Sequence, residues 1–242
     1  MTNFMFISGL AGKMLPTDYV GFTFFVGSMA MMAASAFFFL SLSQFDKKWR
    51  TSVLVSGLIT FIAAVHYFYM RDYWETFSES PTFFRYIDWV LTVPLMALEF
   101  YLILKVAGAK QSLLWKMITY SVIMLVTGYI GEVIYPDNAA LWGFISGAAY
   151  FLIVYEIWLG EASKLAVAAG GEIQKAHNIL CWFILVGWAI YPIGYMMGTT
   201  GWYSSFMPAG NIDVVYNIGD AINKIGFGLV IYTLAVKSSA KE

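Results

Sequence analysis

Lys224 stands near the middle of an apolar stretch running from Val214 to Val236, ten residues after its start and twelve before its end. At 1.5 Å per helical residue that depth is about 15 Å from either end, farther than a lysine stem reaches toward water. A buried amine must pair or react. Asp220 lies one helical turn earlier on the same face, where its carboxylate can meet the nitrogen. Two chemistries fit this pair equally: a structural ion pair, or an imine formed with a carbonyl compound, because a desolvated lysine is a competent nucleophile.

A second apolar stretch separates them. It reads Arg85-Tyr-Ile-Asp88-Trp-Val-Leu-Thr92-Val-Pro-Leu-Met96-Ala-Leu-Glu99. At 100° per residue, Arg85, Thr92 and Glu99 fall about 60°, 40° and 20° from Asp88 around the helix, so all four share one stripe. Asp88 and Glu99 are eleven residues apart, about 16 Å along the axis. One carboxylate can exchange protons near the lysine while the other serves the opposite side. Ionisable groups at membrane depth are costly and mark a pathway or site, and their alignment in an otherwise apolar helix favours a proton path over unrelated packing.

The elements that must position these residues are membrane helices. Of 242 residues, 60% are hydrophobic and only 12% charged, against about 25% charged in ordinary soluble domains, which argues against a water-soluble globule. Apolar blocks long enough to cross about 30 Å of hydrocarbon run from Tyr19 to Ser43, Thr51 to Tyr73, Arg85 to Leu104, Ser112 to Ile134, Leu141 to Gly160, Ala176 to Gly198 and Val214 to Val236. The expected fold is an all-α membrane protein, a seven-transmembrane-helix bundle with short loops and antiparallel neighbours, forming a single domain over residues 1–242. Lys47, Lys48, Arg50, Lys105, Lys110, Lys116, Lys164, Lys175, Lys237 and Lys241 fall on one side, while Lys13, Arg71 and Arg85 lie toward the other. Basic loops stay cytoplasmic, so the N-terminus is expected outside and the C-terminus inside. In that orientation Asp88 belongs to the outer half and Glu99 to the cytoplasmic half. A net charge of -1 offers no surface for nucleic acid, and the one cysteine, Cys181, excludes an intramolecular disulfide and any multi-cysteine metal site. The first 16 residues are too weakly patterned for a signal peptide and read as a mature N-terminal segment.

Arg85-Tyr-Ile-Asp88-Trp89-x-x-Thr92-x-Pro94 and Asp220-x-x-Asn223-Lys224 resemble the third and seventh helices of the proteorhodopsins, a family of microbial rhodopsins. Val65-His66-Tyr67, Gly128-Tyr129-Ile130-Gly131-Glu132, Tyr155-Glu156-Ile157-Trp158 and Gly187-Trp188-Ala189-Ile190-Tyr191-Pro192-x-Gly194-Tyr195 extend the likeness through the second, fourth, fifth and sixth spans, so it covers essentially the whole chain. This resemblance implies all-trans retinal held on Lys224 as a protonated Schiff base and isomerised by light to 13-cis. It also implies a light-driven outward proton pump in the bacterial inner membrane, a transporter rather than an enzyme.

The resemblance carries roles over residue by residue. Asp88 is implied as counterion and primary proton acceptor, with Asp220 as second counterion and Glu99 as the donor that reprotonates the imine from the cytoplasmic side. The mechanism needs Asp88 ionised before the photon arrives and Glu99 protonated until its turn, the state that an apolar surrounding favours. His66 is the residue that the family pairs with the acceptor, where a hydrogen bond stabilises the protonated acid. Trp89, Trp188, Tyr191 and Pro192 are implied as walls of the polyene pocket, where flat rings grip a conjugated chain. Met96 matches the colour-tuning position and implies green rather than blue absorption. His177, read at the cytoplasmic surface, receives no function, and Glu132 and Glu156 stay unassigned.

Within the same family a sodium pump carries Asn, Asp and Gln where this chain has Asp88, Thr92 and Glu99, and a chloride pump lacks the acidic acceptor. A sensory photoreceptor keeps Lys and Asp but often changes the donor. Outside the family, a retinal-free transporter or channel using the same charges as an ion relay is the alternative. The partners implied are retinal, protons, the lipid bilayer and further copies of the chain, as a pentamer or hexamer; no motif fixes the number.

Overall fold

The computed structural model describes residues 17–199 and 212–239. Seven helical segments among the described residues are long and apolar enough to cross a membrane. The first is Tyr19–Ser41, the second Lys47–Phe77 and the third Thr82–Lys105. The fourth, Gln111–Tyr129, runs on as a π-helical turn, Ile130–Ile134. The fifth is Ala139–Trp158, followed by a short helix, Glu161–Ala169. The sixth is built from Gly171–Trp182, a π-helical turn Phe183–Gly187, and Ile190–Gly198; the seventh is Asp213–Ser239. The reading of residues 1–16 as a mature segment, and the side assigned to Lys13 and Lys241, fall outside the described residues.

Seven spans are expected and seven are present among the described residues, but the second, third, sixth and seventh helices outrun their apolar blocks. The second begins at Lys47, where Asp46 adopts the extended backbone of an N-cap, and it ends against Ser78 in the left-handed region at φ 54°. The sixth begins at Gly171, just after Gly170; these two glycines take φ of +63° and +52° and turn the chain sharply between the short helix and the sixth span. His177 therefore lies almost two turns inside the bundle. It is 2% exposed, with Nε2 2.8 Å from the Ile157 carbonyl and its ring edge-on to Phe100. The expected position of His177 at the surface is corrected accordingly: the glycine pair, and not the start of the apolar block, sets where this helix begins.

The helices close into a ring, with the seventh packed on the first, second and sixth. Its solvent logic is inverted relative to a soluble domain. Leu40 is 80% exposed and Phe144 69%, whereas Asp88, Thr92, Glu99 and Asn217 are fully buried. A surface of large apolar side chains around a charged interior is the pattern that a hydrocarbon solvent selects. Pro94 lies inside the third helix and cannot donate to the carbonyl four residues back.

Candidate functional site

Lys224 Nζ sits between two carboxylates, donating to Asp88 Oδ2 from across the bundle and to Asp220 Oδ2, at 2.6 Å, from its own helix. All three are almost wholly buried. The two acids are not equivalent. Tyr191 donates to Asp220 Oδ1 at 2.7 Å and Tyr67 to Oδ2 at 3.1 Å, so both oxygens of Asp220 are engaged, by two hydroxyls and the amine. Asp88 Oδ1 has no hydrogen-bond partner among the described residues. An open acceptor atom on a buried carboxylate beside a cation can receive a proton or hold an ordered water.

His66 stands next to this atom without bonding to it. Its Nδ1 is 4.0 Å from Asp88 Oδ1 and 2.9 Å from the Ile62 carbonyl one turn back, so the ring's hydrogen bond goes to its own helix. Thr92 Oγ1 likewise bonds the Asp88 main-chain carbonyl, at 2.8 Å, and fixes the turn that carries the acid.

Arg85, one turn before Asp88, reaches to the N-terminal end of the seventh helix. Its Nη2 donates to Asp213 Oδ1 at 2.7 Å and Asn217 Oδ1 at 2.8 Å, and its guanidinium lies over the rings of Phe24 and Tyr216. Ser80 also donates to Asp213, and Asn217 donates to Thr23, tying the N-terminal ends of the first, third and seventh helices together. Asp213 and Asn217 are absent from the sequence reading, and Tyr67 enters it only as part of the resemblance, with no role at Asp220. Counting back from Lys224 at 100° per residue puts Asn217 and Asp213 within about 20° of its stripe, so the rule that exposed the third helix would have found them.

Glu99 is on the other side of Lys224 in a different environment. Ser56 of the second helix donates to Glu99 Oε1, and Oε2 has no partner among the described residues. Phe100 and Phe227 pack on each other beside it, with centroids 5.6 Å apart. Two carboxyl sites thus lie along one helix, one paired with a cation and one fully buried and held by a serine hydroxyl.

Trp89, Trp188, Tyr191 and Pro192 line one cavity, which continues between the fourth and fifth helices past Gly128 and Gly147. Trp89 stands edge-on to Tyr191 at 4.8 Å and to Tyr216 at 5.6 Å. Tyr191 belongs both to this cavity and to the Asp220 network, and so links the cavity wall to the acid that holds the amine. Met96 is buried in the core rather than on the cavity wall. The wall depends on the π-helical turn before Trp188. Such a turn frees main-chain carbonyls, and here Tyr150 donates to those of Ile184 and Leu185 at 3.0 and 2.9 Å while Asn223 donates to Gly187 at 2.8 Å. A Cβ at Gly187 would come 2.1 Å from Asn223 Oδ1. Gly187→Ala is therefore expected to displace Asn223 and cost about 1–3 kcal/mol, seen as a lower melting temperature by circular dichroism.

Glu132, in the π-helical turn of the fourth helix, accepts from Tyr86 at 2.8 Å. Glu156 accepts from the backbone N–H of Glu161, capping the short helix, and pairs with Lys116 at 3.1 Å.

The bacteriorhodopsin-like protein family model matches residues 4–238. This chain belongs to that family. Green-light absorbing proteorhodopsin of Gamma-proteobacterium EBAC31A08 is 43% identical over 236 residues, covering 95% of this chain and 91% of that protein. Blue-light absorbing proteorhodopsin of Gamma-proteobacterium Hot 75m4 is 44% identical over 230 residues, covering 93% and 89%. Among solved structures, blue light-absorbing proteorhodopsin from Med12 superposes with a TM-score of 0.77 at 41% identity, over 91% of this chain and 100% of that one. The expected resemblance to proteorhodopsins and the seven-helix rhodopsin fold are thereby borne out. Near-equal identity to green and blue relatives leaves colour to individual residues of this rhodopsin-family chain.

Proposed function

We propose that this chain is a light-driven outward proton pump carrying all-trans retinal on Lys224. The observation that carries the reading is the Lys224 amine held between Asp88 and Asp220, with a second buried acid, Glu99, about 16 Å farther along the Asp88 stripe. The relatives named as proteorhodopsins support it. The residues also fit the chromophore: a buried amine, joined through Asp220 and Tyr191 to an aromatic-lined cavity, suits a long conjugated aldehyde, and two acids beside it suit the cation that such a linkage forms. Bound there, retinal supplies a light-driven isomerisation from all-trans to 13-cis.

The chain's own residues would do the rest. Asp88 and Asp220 keep a proton at Lys224 Nζ in the dark by facing one cation with two negative charges. Asp88 is the acceptor, since its Oδ1 is open while Asp220 is occupied by Tyr67 and Tyr191. His66 stands beside the acceptor as its partner residue, with Nδ1 4.0 Å from Asp88 Oδ1 and no direct hydrogen bond to it. Arg85, with Asp213 and Asn217, forms the polar outer end through which a proton leaves. Glu99, held by Ser56, returns a proton to Nζ from the cytoplasmic half. Trp89, Trp188, Tyr191 and Pro192 grip the polyene; the proposed green absorption rests on the family's colour-tuning position, held by the apolar Met96, which is buried off that wall.

In this reading the chain is one seven-span unit over residues 1–242 in the bacterial inner membrane, N-terminus outside, assembled as a pentamer or hexamer. The experiment that separates it from a retinal-free transporter is addition of all-trans retinal to the purified chain. A visible absorption band should appear, and a preparation that stays colourless would remove the rhodopsin reading. With colour in place, Glu99→Gln should preserve the band while slowing recovery after a flash by about 10²–10⁴-fold, the usual worth of one positioned proton donor. Recovery at the unaltered rate would take the donor role from Glu99.

A further inference from the structure

A groove at the end of the bundle that carries Lys175 and Lys237 runs between the sixth and seventh helices. Its walls are apolar, with Ile179 at 48% and Leu229 at 43% exposure and Val230 beneath them. Lys175 and Lys237, with side chains 69% and 55% exposed, stand at its mouth. Glu172 lies between them, 3.2 Å from Lys175 Nζ and 3.4 Å from Lys237 Nζ. One carboxylate against two ammonium groups leaves a single positive charge. Each ammonium has three donors, so contact with Glu172 orients both without exhausting either.

An apolar channel along a membrane helix that opens on a fixed positive charge matches a molecule with a hydrocarbon tail and an anionic head. We propose that this groove is a binding site for one anionic phospholipid, its acyl chain between the sixth and seventh helices and its phosphate at Lys175 and Lys237. Basic pockets between membrane helices bind anionic headgroups in this way, and the stems of both lysines can lie along the chain while their heads reach the phosphate. The site is separate from the Lys224 machinery, so its occupancy does not depend on proton pumping.

Native mass spectrometry of the full retinal-loaded chain, with phosphatidylglycerol or phosphatidylcholine of identical chains added, tests this. The wild-type chain should retain phosphatidylglycerol in preference to phosphatidylcholine. That preference should fall about fivefold for each lysine removed in Lys175→Gln and in the double variant Lys175→Gln/Lys237→Gln, with the visible band unchanged. Val230→Phe, which fills the groove and keeps the charge, should lower retention of both lipids. Equal retention of the two lipids by the wild-type chain, or an unaltered preference in the double variant, would overturn the proposal. Displacement of the lipid by glycerol phosphate as readily as by phosphatidylglycerol would reduce the site to a headgroup contact and overturn the groove. A preference seen only in oligomer peaks would give the groove to a second copy of the chain.

Discussion

Asp88→Asn is expected to abolish light-driven acidification while leaving the protein coloured. In the dark state one cation at Nζ faces two carboxylates, so removing one negative charge leaves a matched pair with Asp220 rather than a stranded ion. Breaking a buried pair by stranding one partner costs about 3–5 kcal/mol, and that penalty is avoided here. Folding and retinal binding should therefore survive, and what disappears is the open Oδ1 acceptor. Initial rates of external pH change under illumination, at matched absorbance, measure the effect. Undiminished acidification by this variant would refute the acceptor assignment and move attention to Asp220.

The second large effect is on Lys224, where the choice of replacement matters. Alanine would leave Asp88 and Asp220 facing each other with no cation, a loss large enough to confuse unfolding with loss of the linkage. Lys224→Arg retains a charge between the acids but cannot form an imine. Circular dichroism should show a helical protein, and added all-trans retinal should give no visible band that survives denaturation. A covalently held band in this variant would place the linkage elsewhere.

The charged core was legible because helical geometry is rigid: four-residue and eleven-residue spacings place Asp220 beside Lys224 and Asp88 in line with Glu99 whatever the rest of the chain does. The same rule reached only as far as the block to which it was applied. Asp213, the acid that holds Arg85, lies one residue before the apolar run that begins at Val214, outside the block to which the spacing rule applies. Contacts across the bundle are set by how helices rotate against each other, which spacing within one helix does not encode. Tyr67, adjacent to His66 in the sequence, is the residue that bonds Asp220, while His66 turns to Ile62. The π-helical turns at Ile130–Ile134 and Phe183–Gly187 leave no change in apolar periodicity strong enough to see. In the Phe183–Gly187 turn the freed carbonyls are satisfied by Tyr150 and Asn223 from other helices.

The central claim is tested most directly by external pH in an illuminated suspension of cells expressing the chain with retinal, repeated with a protonophore and with sodium replaced by potassium. Light-dependent acidification that the protonophore abolishes and the sodium exchange leaves intact is the predicted result. A coloured protein that produces no pH change would contradict the pump and move the function to sensing or to another ion.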